Sequence, residues 1–181
     1  KLDQDHADCV THISRAIFHA LESEHKLSFR YEVLLTVAAK LHDVGSFIGN
    51  SSHHKHSQYI IQNSDLFGLG EEDIQLIALI ARYHRRANPR SSHPGYGTLT
   101  RKKRMIVNKL AAILRAADAF DRSHTEAIKD IKISVKEEEV IVEVPRAGDY
   151  AAEKRALATK GKLFEQVYGR TMVLRAKRRP G

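Results

Sequence analysis

Apolar residues recur at helical spacing through the first two thirds of the chain. Val10, Ile13, Ile17 and Leu21 form one stripe, and Val33, Leu34, Val37, Ala38 and Leu41 form a second. Steps of three and four residues put such positions on one face of a helix. Gly45 follows the second stripe where a C-cap would sit, and residues 49–52 read as a loop. A short helix is predicted over 57–62. Glu71, Glu72 and Asp73 then supply an acidic first turn that suits the helix dipole, ahead of the Ile74, Ile77, Ala78 and Ala81 face. Residues 87–97 contain Pro89, Pro94, Gly95 and Gly97 and are predicted as a loop. A long helix follows from about Arg101, carrying Val107, Leu110, Ala111 and Leu114 inward.

The period then changes from helical to alternating. Ile131, Ile133 and Val135 alternate with Lys132 and Ser134, and Val140, Val142 and Val144 alternate with Ile141 and Glu143, around an acidic turn at 137–139. This is the pattern of a hairpin. A helix over 150–168 and a last strand over 171–175 complete a ββαβ unit. The expected fold is therefore mainly α: a helical bundle over 1–127, a small α+β (ββαβ) C-terminal appendage over 128–176, and a basic tail over 177–181.

Composition narrows the chemistry. With 181 residues the chain is long enough to bury a core without staples. It has 30 Lys and Arg against 22 Asp and Glu, a net charge of +8 that favours polyanionic partners such as nucleotides or polyphosphate. Cys9 is the single cysteine, so an intrachain disulfide is excluded and a reducing, cytoplasmic compartment is expected. No apolar run approaches the roughly 18 residues of a membrane helix, and no secretory signal opens the chain. Because it begins at Lys1, a segment of a longer protein is expected. Eleven histidines are many for this length.

Several of these histidines stand where helices should be buried. His42 and Asp43 end the second stripe, His84 ends the 74–81 stripe, and Asp118 continues the Leu110, Ala111, Leu114 series. A bare carboxylate there costs several kcal/mol unless it is paired or holds a cation. His6, His42, Asp43 and Asp118 make a mixed nitrogen and oxygen donor set, suited to Mn²⁺, Fe²⁺, Co²⁺, Ni²⁺, Zn²⁺ or Mg²⁺. His56 and His84 extend it to a second ion bridged by Asp43. Lys55, Arg82, Arg85 and Arg86 adjoin these positions and are candidates to clamp phosphate oxygens. His53 or His54 is a candidate general acid, with His54 and Lys55 placed beside Asp43 in the catalytic set. His12, His19, His25, His93 and His124 carry no supporting pattern and are read as surface residues. Asp121 is read as an alternative to Asp118, paired with Arg122 or another base. The basic clusters at 101–104 and 177–179 are read as solvated faces.

His6, the His42-Asp43 dyad in LHDVG and Asp118 in RAADAFDRS resemble the H…HD…D signature of the HD superfamily of metal-dependent phosphohydrolases. More narrowly, LHDVGSFIGNSSHHKHSQYIIQNSDLFG, ARYHRR and LAAILRAADAFDRSH resemble the C-terminal HD region of the Ppx/GppA family, the exopolyphosphatases and guanosine pentaphosphate phosphatases, over roughly residues 6–126. The resemblance implies an HD-type helical bundle and a homodimer. It also implies an upstream pair of actin-like domains that hydrolyse polyphosphate, whose phosphate motifs do not occur in these residues. The expected function is metal-assisted hydrolysis of a phosphoester or phosphoanhydride in a nucleotide or polyphosphate, with one or two divalent ions. The alternative is a non-catalytic polyphosphate-binding, dimerisation or regulatory module.

Overall fold

A computed structural model of the chain describes residues 3–123, 131–145 and 148–177. Among these described residues, eight helices and three strands follow in order: α1 (Gln4–Ala20), α2 (Glu22–His25), α3 (Phe29–Leu41), a 3₁₀ turn (Val44–Phe47), α4 (His53–Gln62), α5 (Glu71–Arg82), α6 (Arg101–Phe120), β1 (Lys132–Val135), β2 (Glu139–Val144), α7 (Ala151–Lys160), α8 (Lys162–Tyr168) and β3 (Thr171–Ala176). The architecture is mainly helical with a small C-terminal α+β unit, as the periodicity predicts. The expected boundary at 127 and the residues after Lys177 lie outside the described part of the chain. Among the described residues, no helix is long and apolar enough to cross a membrane.

Helix α6 is the axis of the molecule. Its second half is buried on every side from Leu110 to Phe120, the behaviour of a helix packed all round rather than on one stripe. Helices α1 and α5 pack on it from the bundle, and α7 and α8 cover it from the appendage. Its start is fixed by Thr100, whose hydroxyl accepts a hydrogen bond from the Lys103 N–H. Ile13, Ile17, Leu34, Leu35, Ile77, Leu110 and Leu114 are fully buried around it, each stabilising the fold by about 1.5–3 kcal/mol relative to exposure. Val140, Val142, Phe164 and Met172 belong to the same apolar cluster.

The sheet order is β1-β2-β3. β1 pairs with β2 antiparallel, Ile133 opposite Val142. β2 pairs with β3 parallel, Val140 opposite Met172, so α7 and α8 form the crossover that a parallel pair requires.

Three local expectations are corrected. Residues 150–168 form two helices, with Gly161 at the joint. Helix α4 begins at His53 rather than 57, because Ser52 turns the chain through a left-handed conformation (φ 57°) and nothing after it breaks a helix. Gly45 lies in the 3₁₀ turn, not at a C-cap. A Cβ there would meet the His53 carbonyl oxygen at 2.1 Å and the Ser57 nitrogen at 2.3 Å, so glycine lets α4 lie against the turn that follows α3.

Candidate metal centre

Four helical segments deliver imidazoles to one carboxylate. Asp3 caps α1 by accepting the His6 N–H at 3.1 Å, which fixes His6 in the first turn. His42 is the C-cap of α3, and Asp43 opens the turn after it. Ser57 locks α4 onto that turn: its hydroxyl donates to the His42 carbonyl (2.6 Å) and accepts from the Gly45 N–H (2.9 Å). His53 is thereby held over Asp43. His84 follows the end of α5.

Every imidazole has its outer nitrogen tied off. His42 Nδ1 lies 2.7 Å from the Ala39 carbonyl, His84 Nδ1 2.7 Å from the Ala81 carbonyl, and His53 Nδ1 3.2 Å from the Asn50 carbonyl. His6 Nδ1 lies 2.7 Å from Asp121 Oδ2. Carbonyls and carboxylates only accept, so each Nδ1 carries the hydrogen. In the neutral ring each Nε2 then presents a lone pair inward. His53, His84 and His42 Nε2 stand 3.1, 3.3 and 3.4 Å from the Asp43 oxygens, and His6 Nε2 stands 4.0 Å away. His53 and His84 Nε2 are 3.1 Å apart.

That arrangement is unfinished. The buried His42 Nε2 and Asp43 Oδ1 make no hydrogen bond, and converging lone pairs repel unless a proton or a cation lies between them. Donor atoms of His6, His42 and Asp43 lie within 4.8 Å of one another, as do those of Asp43, His53 and His84. Both sets are imidazole and carboxylate donors with Asp43 in common, and the outer hydrogen bonds are those that orient metal-ligating histidines. The residues therefore fit one divalent cation, or two bridged by Asp43.

Burial alone pushes the Asp43 carboxyl up, but His42, His53 and His84 override it and hold the group far below the carboxylate range. Burial pulls His6 down, while Asp118 and Asp121 outweigh it and raise the imidazole to about 9. Burial lowers His84. Burial also opposes the Asp118 charge, but Lys160 and His6 keep that carboxyl ionised.

The structure thus brings together His6, His42, Asp43 and His84 of the expected ligands. Asp118 adjoins them, its Oδ1 3.5 Å from His6 Nε2, and its other oxygen receives the Lys160 ammonium. His56 is in neither donor group, and its Cβ packs toward Gly45. His53 takes the inward place because α4 starts four residues early. Burial lowers His54 to about 4, so at neutral pH it is not the imidazolium that the general-acid expectation requires. Lys55 is exposed on α4. Arg82 donates to the Gln58 side-chain oxygen, while Arg85 and Arg86 line a cleft beside the cluster. Asp121 pairs with His6 rather than Arg122. The D-x-x-D spacing that puts it on the same helical face as Asp118 is its only signal in the sequence. His25 is buried rather than on the surface, and His124 lies outside the described residues.

Comparison with known proteins gives a family. The model described as Ppx/GppA phosphatase, domain III, matches residues 1–162. The chain is similar to a guanosine-5'-triphosphate,3'-diphosphate pyrophosphatase of Pseudoalteromonas translucida, 27% identical over 106 residues, 58% of this chain and 20% of that protein. Proteins of the same name from Photobacterium profundum and Aeromonas salmonicida are 25% and 26% identical over 148 residues, 81% of this chain and 29% of each relative. The chain therefore spans less than a third of the length of these relatives.

Proposed function

Because the chain belongs to the Ppx/GppA phosphatase family, as its domain III, we propose that it is an HD-type metal-dependent phosphohydrolase domain acting on the phosphoanhydride or phosphoester bonds of a nucleotide or polyphosphate. The observation that supports this reading is the convergence of four Nε2 lone pairs on Asp43, each with its Nδ1 hydrogen spent outside the cluster. His6, His42 and Asp43 would hold one ion, and Asp43, His53 and His84 a second. A divalent cation so held supplies Lewis acidity to a phosphoryl oxygen and makes water a stronger acid.

The chain's own residues do the rest. Asp43 is common to the two donor sets and would be shared between the ions they hold. Asp121, Ala39, Ala81 and Asn50 keep the imidazoles in the ligand tautomer. His54 stays neutral, its buried Nδ1 without a hydrogen-bond partner among the described residues. Arg85 and Arg86, which follow His84 directly, offer bidentate donors to phosphate oxygens.

The names of the relatives support a substrate with phosphoanhydride bonds. One observation favours the second reading, a non-catalytic polyphosphate-binding module: the Lys160 ammonium occupies an oxygen of Asp118 that a cation would otherwise use. Phosphate release from tripolyphosphate and from GTP decides between them. The chain stripped with chelator and reloaded with Mn²⁺ should release phosphate, and Asp43→Ala should not. Equal release by both, or none by the loaded chain, contradicts catalysis.

A further inference from the structure

One cation already sits at the edge of the cluster. Among the described residues, Asp43 is paired with imidazoles alone. Asp118 is paired with His6 on one oxygen and with the Lys160 ammonium on the other. Asp118 is buried, and its Oδ1 stands 3.5 Å from His6 Nε2, a donor of the His6, His42 and Asp43 set. A divalent ion held by that set and the Lys160 ammonium would therefore lie on either side of one carboxylate. Two cations sharing one carboxylate in a buried site repel each other, and little water lies between them to screen the repulsion.

The fold gives Lys160 room to yield. It is the last residue of α7, followed by Gly161, and it is partly open to solvent. A released ammonium at a helix C-terminus stays favourably placed against the helix dipole. The docking of α7 has other supports: Glu153 Oε1 accepts the Ser123 N–H at 2.8 Å, and Leu157 is buried in the apolar cluster.

We propose that Lys160 is an internal competitor of the metal, a charge supplied by the appendage that neutralises Asp118 when no metal is bound and weakens cation binding until it is displaced. The proposal rests on the metal-dependent reading of the cluster and gives that reading a control, because ammonium and divalent ion exclude one another at Asp118. Linkage makes the exclusion reciprocal, so metal must release Lys160 to the same degree that Lys160 weakens metal.

Competition between the 181-residue chain and a fluorescent chelator for Mn²⁺ tests this. Lys160→Met and Lys160→Gln should each bind Mn²⁺ at least about tenfold more tightly than the parent, within the usual span of coupling between two sites. Glutamine keeps a hydrogen-bond donor for Asp118 without the charge, and so covers the case in which methionine impairs folding. Lys160→Arg keeps the charge and should stay near the parent. A merely structural role predicts the reverse, since loosening α7 would weaken the site. Amine acylation followed by mass spectrometry gives a second readout: Mn²⁺ should speed the labelling of Lys160 in the parent and leave it unchanged in Asp43→Ala. Parental or weaker affinity in both Lys160→Met and Lys160→Gln overturns the competitor and leaves the metal reading standing. Absence of Mn²⁺ binding from the parent and from all three variants overturns both. Binding that appears only in Lys160→Met and Lys160→Gln supports the competitor in its strongest form.

Discussion

Two buried charges lie on the same side of α6, three residues apart, and they are finished to different degrees. Arg115, 2% exposed, donates to the Tyr83, Ala87 and Arg86 carbonyls at 2.8, 2.6 and 3.5 Å and to Asn88 Oδ1 at 3.0 Å. Burial lowers it only to about 10, so it stays charged at neutral pH and closes the backbone groups left open after α5. On the Asp118 and Asp43 side of the bundle, by contrast, His42 Nε2 and Asp43 Oδ1 are left without hydrogen bonds among the described residues. A buried charge by itself thus says little about function. What distinguishes a site from a brace is whether its polar groups satisfy one another.

Exchanging the two regions' properties by mutation should expose the difference. The largest effect is expected at the brace. Arg115→Met leaves several carbonyls unpaired and should lower unfolding free energy by about 3 to 5 kcal/mol, the scale for breaking a buried charged interaction; urea melts measure it. The variant should still be stabilised by Mn²⁺. Asp43→Ala should behave in the opposite way. Saturating Mn²⁺ should stabilise the parent, by about 2.7 kcal/mol at a hundredfold excess over Kd, and should leave Asp43→Ala unchanged in the same melts. A variant Asp43→Ala that retained the Mn²⁺ effect would break the comparison.

Smaller changes sharpen it. Asp121→Asn removes the carboxylate that holds the His6 hydrogen, and metal affinity should fall about 10–100-fold, as for other outer partners of a ligating histidine. Competition with a fluorescent chelator reads this directly. The smallest effect is expected at His25, which resembles Arg115 in being complete: its Nε2 hydrogen goes to the Phe18 carbonyl and its Nδ1 accepts the Leu27 N–H. Burial holds its pKa below 6.5 in the fold, so the unfolded chain binds the proton more readily. Its contribution to stability is full above about pH 6.5 and is lost as pH falls through the lowered value. His25→Asn should flatten the stability profile between about pH 7 and 5.

How far the sequence foretold each region follows from what a sequence can carry. The helices around α6 and the ββαβ unit were legible because burial imposes a period on apolar residues. His42, Asp43 and His84 were legible because polar residues ended apolar stripes. The choice of His53 over His56 was not, since it depends on Ser52 starting α4 early. Nor was Lys160, which reaches Asp118 from an element 42 residues further along the chain. Arg115 showed no signal at all: an arginine among alanines looks the same whether it braces a loop or faces water.

The central claim is that the imidazole lone pairs around Asp43 await a divalent cation. Elemental analysis of the chain purified without chelator, alongside His42→Ala, tests it most directly. The account predicts one to two equivalents of a divalent transition metal in the parent and a small fraction of that in the variant. Less than a tenth of an equivalent in the parent, with no uptake on dialysis against Mn²⁺ or Zn²⁺, would contradict it.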